Sequence, residues 1–325
     1  MPTPIWPPSS QVATAATYKT INLTNIVPAN AAAVMLCPVG SIGGGQQFTA
    51  KPTGQPEAYS APAMSIADGR GSASIDIICK IGNNRSIDVY SGTAIGFAIF
   101  AYFTAQEVRM LDVAQRVNFT QGTANWQTVN LTSYLPPGTT RGYGAFISVI
   151  ERTTWNTMVG WRRNGQTGKT ITNPSQGYVG TAFVPMDELN QVQLYANSTS
   201  PEFWIHGVVT ASDAFVYHET PRIARRGTAI PDNFIHYKDS FCGIYEGTTN
   251  GVRDNHTQVT PQDWPIAGRG TRNYGYRTYP CVPYGDPANK EALPTAYSNT
   301  NNSTIYEIGY WVNPKKSALF FGTNF

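Results

Sequence analysis

The sequence predicts an all-β protein: two tandem β-sandwich (jelly-roll-like) domains followed by a loop-rich β C-terminal region. Three observations predict it: an internal repeat, a period of two within each copy, and a composition suited to strands and turns. The repeat organises the rest. Tyr18-Lys-Thr-Ile-Asn-Leu-Thr-Asn-Ile-Val-Pro28 aligns without a gap with Trp126-Gln-Thr-Val-Asn-Leu-Thr-Ser-Tyr-Leu-Pro136. An apolar strand follows each, Ala33-Val-Met-Leu36 in the first copy and Phe146-Ile-Ser-Val-Ile150 in the second. The copies also close alike. Ile87-Asp-Val-Tyr90 matches Val192-Gln-Leu-Tyr195, and Phe97-Ala-Ile-Phe-Ala-Tyr-Phe103 matches Phe203-Trp-Ile-His-Gly-Val-Val209.

Within a copy, apolar residues alternate, as in Ile75-Asp-Ile-Ile-Cys-Lys-Ile81, which marks half-buried strands. Several short strands separated by turn residues over roughly 100 residues fit a sandwich or jelly roll. The 18 Tyr, 14 Phe and 7 Trp favour strands over helices, and long Ala/Leu/Glu/Lys tracts are nearly absent. With 41% hydrophobic residues the chain has material for folded cores.

The expected organisation is a Pro-rich extended arm over 1–17, sandwich repeats over 18–107 and 108–213, and an aromatic-rich region over 214–325. One helix is expected, over Ala105–Arg116, where apolar residues also fall at helical spacing; a strand is the alternative. Gly40-Ser-Ile-Gly-Gly-Gly45 lacks the lysine and serine of a phosphate-binding loop and reads as a hairpin loop. The chain ends on Leu319-Phe-Phe-Gly-Thr-Asn-Phe325, an aromatic end expected to dock on a surface.

The net charge of +3 is too weak for a nucleic-acid partner, and Arg222, Arg225, Arg226, Arg269, Arg272 and Arg277 form no stripe. No apolar run is long enough to span a bilayer, and Met1-Pro-Thr-Pro-Ile-Trp does not read as a secretory signal. Synthesis in a cytoplasm is therefore expected, and the five Asn-x-Ser/Thr matches, at Asn22, Asn118, Asn130, Asn197 and Asn255, read as chance.

Chemistry-bearing residues form no catalytic or metal pattern. The four histidines, His206, His218, His236 and His256, lack ligand spacing, and His206 reads as a structural imidazole inside a strand. No nucleophile elbow is present, and Cys242 with His236 is only close in sequence. No two carboxylates stand out as an acid and base pair. No cofactor or metal is expected. Cys37, Cys79, Cys242 and Cys281 read as buried thiols, with a Cys242–Cys281 disulfide as the alternative. Flat aromatics beside planar polar groups suit a sugar, and Tyr237, Trp264, Arg272, Tyr274 and Tyr276 are the candidates.

The repeated opening, aromatic-x-x-[Ile/Val]-Asn-Leu-Thr-x-[Ile/Tyr]-[Val/Leu]-Pro, resembles the openings of β-sandwich modules in tailed-bacteriophage virion proteins, such as head-decoration, head-fibre and tail-associated proteins. The resemblance covers residues 18–107 and 108–213. It implies a non-enzymatic virion protein, a symmetric homo-oligomer, and contacts with major capsid or tail proteins. A host-attachment protein, binding a cell-surface glycan through its C-terminal region, is the second reading. A polysaccharide-degrading enzyme is the third.

Overall fold

The computed structural model describes residues 3–39, 46–55, 64–66, 76–92, 94–151, 157–167, 178–226, 240–249, 257–260, 277–283, 295–298 and 303–312. Its described residues are β-strands, turns and short 3-10 turns, as the all-β expectation requires.

The first sandwich has two four-stranded sheets. One runs β1 (Thr3–Ala13), β8 (Ile95–Thr104), β3 (Ala31–Val39), β6 (Ile77–Lys80). The other runs β2 (Tyr18–Asn22), β7 (Ser86–Ser91), β4 (Gln46–Pro52), β5 (Met64–Ile66). The second sandwich repeats the order. Its large sheet runs β9 (Val108–Arg116), β15 (Glu202–Val209), β11 (Gly144–Glu151), β13 (Tyr178–Pro185). Its small sheet runs β10 (Gln127–Asn130), β14 (Gln191–Ala196), β12 (Val159–Arg163). Strand for strand, β1, β8, β3 and β6 correspond to β9, β15, β11 and β13.

Two expectations are corrected here. The N-terminal segment is no separate arm: it supplies β1, the edge strand of the first large sheet. Its pairing passes from Pro4↔Ala101 to Ser9↔Ile99 across a bulge. The segment expected as a helix is β9, whose pairing passes from Met110↔Gly207 to Gln115↔Ile205. The two bulges are the same device in the two copies, so each repeat begins one strand earlier than the Asn-Leu-Thr opening. The bulge breaks the alternation of Val108–Arg116, which is why its apolar residues mimic a helical spacing.

The opening motif has a structural explanation. Asn22 Oδ1 accepts from the Thr24 N–H at 2.8 Å, and Asn130 Oδ1 accepts from the Thr132 N–H at 2.8 Å. Each is an Asx turn that ends a strand. The next residue, Leu23 or Leu131, is fully buried, and its N–H bonds the Arg85 or Asn190 carbonyl at 2.8 and 2.9 Å. Arg85 and Asn190 both adopt a left-handed backbone, φ 49° and 58°.

Each sandwich has its own core: Leu23, Val34, Leu36, Phe48, Ile87, Phe97 and Ile99 in one, Leu131, Ile147, Trp161, Val192, Leu194, Phe203 and Ile205 in the other. A third core lies between the large sheets. It joins Met35, Phe100 and Phe103 to Phe146, Phe183 and Val209, and is completed by Ile308 and Trp311. Those last residues come from a four-stranded sheet, β16 (Phe215–Arg226), β21 (Ser303–Val312), β17 (Ser240–Thr249) and β19 (Arg277–Pro283). A two-stranded sheet, β18 (Thr257–Thr260) with β20 (Thr295–Ser298), accompanies it. Trp311 meets Phe183 at 4.7 Å and Phe103 at 5.4 Å between ring centroids, so the C-terminal region binds both sandwiches through one aromatic cluster.

Candidate functional site

The outward face of each small sheet carries an aromatic pair and a cation at matching positions of the register. In the first sandwich Tyr18 lies across from Tyr90, and Lys51 across from Asp88. In the second, Tyr195 lies across from Gly160 and Arg162 across from Gln193, with Trp126 entering β10 beside Tyr195. Alternation along the strands turns these residues outward while Ile87, Val89, Val192 and Leu194 point into the cores.

Both sets place a cation on an aromatic ring. Lys51 Nζ sits 4.6 Å from the Tyr18 centroid, and the Arg162 guanidinium carbon 4.1 Å from the Trp126 centroid. Both also pair the aromatics, Tyr18 with Tyr90 at 5.4 Å and Trp126 with Tyr195 at 5.7 Å. Gly160 makes room for the indole: a Cβ there would lie 2.6 Å from the Trp126 ring.

The charges then diverge. Lys51 meets the Asp88 carboxylate at 3.5 Å, with both side chains nearly buried, and Asp88 also accepts from Thr20 at 2.8 Å and Thr53 at 3.0 Å. Lys51 further donates to the Gln55 carbonyl. In the second sandwich a neutral amide replaces that carboxylate. Arg162 Nε donates to Gln193 Oε1 at 2.7 Å, and Nη1 reaches the Thr167 carbonyl at 3.5 Å. Burial pulls the Arg162 guanidinium below its usual pKa, and among the described residues no neighbouring carboxylate offsets it. A polar band continues from there: Gln193 donates to Thr128 at 3.4 Å, Thr128 to Asn164 at 3.1 Å, and Asn164 to Gln191 at 3.1 Å and Asp187 at 2.7 Å.

A second polar cluster lies between the large sheets. His206 occupies the bulge of β15, where the first copy has Phe100. The bulge needs Gly207, since a Cβ there would lie 2.6 Å from the Arg109 carbonyl. His206 Nε2 meets Ser148 Oγ at 2.7 Å, and Ser148 meets Thr181 at 3.2 Å. Burial lowers the His206 pKa to about 4, so the imidazole is neutral at pH 7. Ser148 is 3% exposed and His206 6%, and both lie mid-strand. Held mid-strand and hydrogen-bonded to one another, they read as a satisfied row of buried polar groups and not as a nucleophile with its base.

Tyr237, Trp264, Arg272, Tyr274 and Tyr276, the residues expected to bind a glycan, lie outside the described residues, as do His236 and His256. Cys37, Cys79 and Cys281 are buried thiols. The alternative, a Cys242–Cys281 bridge, falls on Cys242, whose side chain lies outside the described residues; the register sets Cys242 across from Pro283, two residues beyond Cys281. Burial, with Asp88 adding to it, pushes the Cys79 thiol up. Among the described residues no group of His, Cys, Asp and Glu is placed to hold a metal, and no helix is long and apolar enough to cross a membrane. Sequence reasoning took Trp126 only as a repeat marker and passed over Lys51, Arg162 and Gln193. The available signal was Trp161-Arg-Arg163, a basic pair inside an apolar strand.

No protein-family model matches the chain, and no curated protein matches it. Among solved structures, it is similar to the N-terminal CBM22-1-CBM22-2 tandem domain of Xyn10C from Paenibacillus barcinonensis, at 13% identity and a TM-score of 0.19, covering 64% of this chain and 93% of that one.

Proposed function

We propose that the protein is a non-enzymatic structural component of a bacteriophage virion, a capsid-decoration, head-fibre or tail-associated protein that assembles as a symmetric homo-oligomer. The observation that carries this reading is the repeated Asn-Leu-Thr opening, which resembles phage sandwich modules and here closes a strand with the same Asx turn in both copies. The shared core supports it: two modules joined through Phe103, Phe146, Phe183 and Trp311 form a stiff unit suited to a load on a particle. His206, Ser148 and Thr181 are hydrogen-bonded to one another in a buried row. Light scattering on the purified chain tests the reading. A closed oligomer is expected, and antibodies against the protein should decorate intact particles. A monomer at high concentration together with undecorated particles contradicts it.

A second reading, attachment to a host-surface glycan, is favoured by the outward face of the second small sheet, where Trp126, Arg162, Gln193, Thr128 and Asn164 bring an aromatic ring beside hydrogen-bonding groups.

A further inference from the structure

We infer that the outward face of the β10–β14–β12 sheet binds a carboxylate-bearing saccharide, with the Arg162 guanidinium receiving the carboxylate. This rests on the attachment reading and names its ligand class. Both place a cation against an aromatic ring at the same point of the small sheet, so the module itself uses that contact. Only the first supplies the counter-charge: Asp88 stands 3.5 Å from Lys51. At the corresponding position the second has Gln193, whose amide oxygen satisfies Nε without neutralising the guanidinium. Among the described residues Arg162 meets no carboxylate, and its Nη2 has no hydrogen bond. Its Nη1 contact is at the 3.5 Å limit.

A guanidinium partly withdrawn from water and lacking a counter-ion gains most from a ligand carboxylate, which it can grip with two parallel N–H donors. The surroundings suit a sugar ring carrying that carboxylate. Thr128 and Asn164 are at least partly exposed and Gln191 and Gln193 half-buried; they bond one another, and their oxygens keep lone pairs that ring hydroxyls can donate to. Trp126, half-buried, offers apolar surface beside them. An acidic peptide would use the cation but has no ring hydroxyls to donate to the acceptors of this band.

Calorimetric titration of the full chain tests this, with trigalacturonate as probe, trigalactose as its neutral counterpart and triglutamate as the peptide arm. Two variants carry the argument. Arg162→Gln removes the charge. Gln193→Asp installs the first copy's internal ion pair, and urea midpoints confirm that both variants fold. Trigalacturonate is expected to bind and to weaken with salt; trigalactose and each variant should lose about tenfold or more in affinity, the scale of a charge-assisted contact. Trigalacturonate binding unchanged in both variants overturns the inference. Equal binding of trigalactose also overturns it while leaving the attachment reading standing. Failure of both sugars to bind overturns both, and tighter binding of triglutamate makes the face a protein dock.

Discussion

The two sandwiches are one module twice, down to matched bulges at Pro4–Ser9 and Met110–Gln115, yet they settle charge differently. The first surrounds Lys51 with Asp88, Tyr18 and the Gln55 carbonyl and leaves it nearly buried. The second keeps the cation and the ring, Arg162 on Trp126, but replaces the carboxylate with Gln193. The comparison separates what the fold requires from what one copy adds. The ring, the cation and the strand register are common, so they belong to the module. The counter-charge is not common, so the first site is closed and the second is open to an outside anion.

The same contrast recurs between the large sheets. Phe100 and His206 hold the same bulge position, one in an apolar core and the other in a row with Ser148 and Thr181. A buried row of this kind is tolerable only because its members satisfy one another.

The largest effect is expected where the copies are joined. Trp311→Ala should cost about 3–5 kcal/mol, as loss of a fully buried aromatic does, and should weaken both sandwiches at once. Urea unfolding followed by fluorescence checks this; loss confined to one transition would show that the sandwiches do not share a core. Asp88→Asn should cost about 3 kcal/mol because it strands a nearly buried Lys51, whereas Gln193→Ala should cost about 1 kcal/mol, the scale of one neutral-acceptor hydrogen bond. Denaturant midpoints of the two variants read the difference directly.

Acid should separate the bulges. His206 is held at about 4 in the folded chain against 6.5 when unfolded, so between these values the unfolded state takes up a proton that the folded state refuses. Stability from this group is intact above pH 6.5 and falls as pH drops, by about 3 kcal/mol near pH 4. His206→Gln should remove that slope, read as unfolding free energy against pH. The smallest effect is at the opening motif: Asn22→Ala and Asn130→Ala should each cost roughly 1 kcal/mol, and equal values would support a common role for the two Asx turns.

Much of this fold could be read from the chain. The aligned openings and closing strands locate both sandwiches. The unbroken apolar run Phe97–Phe103 belongs to a strand buried on both faces, Phe97 and Ile99 toward one core and Phe100 and Phe103 toward another. The first strand was illegible because Pro4, Pro7 and Pro8 look like a linker; prolines are accommodated there because β1 is an edge strand with a bulge. The paired sites were illegible for a different reason. Tyr18, Lys51 and Asp88 are distant in sequence and meet only through register, and nothing local marks Gln193 as the partner of Arg162.

The central claim is that the first copy's cation is closed by its own carboxylate and the second copy's is not. Reciprocal exchange tests it most directly: the urea unfolding free energies of Asp88→Gln and Gln193→Asp at pH 7 and low salt. The account predicts opposite signs, a loss for Asp88→Gln and no loss or a gain for Gln193→Asp as Arg162 acquires a counter-charge. Destabilisation by both exchanges to a similar degree would contradict it.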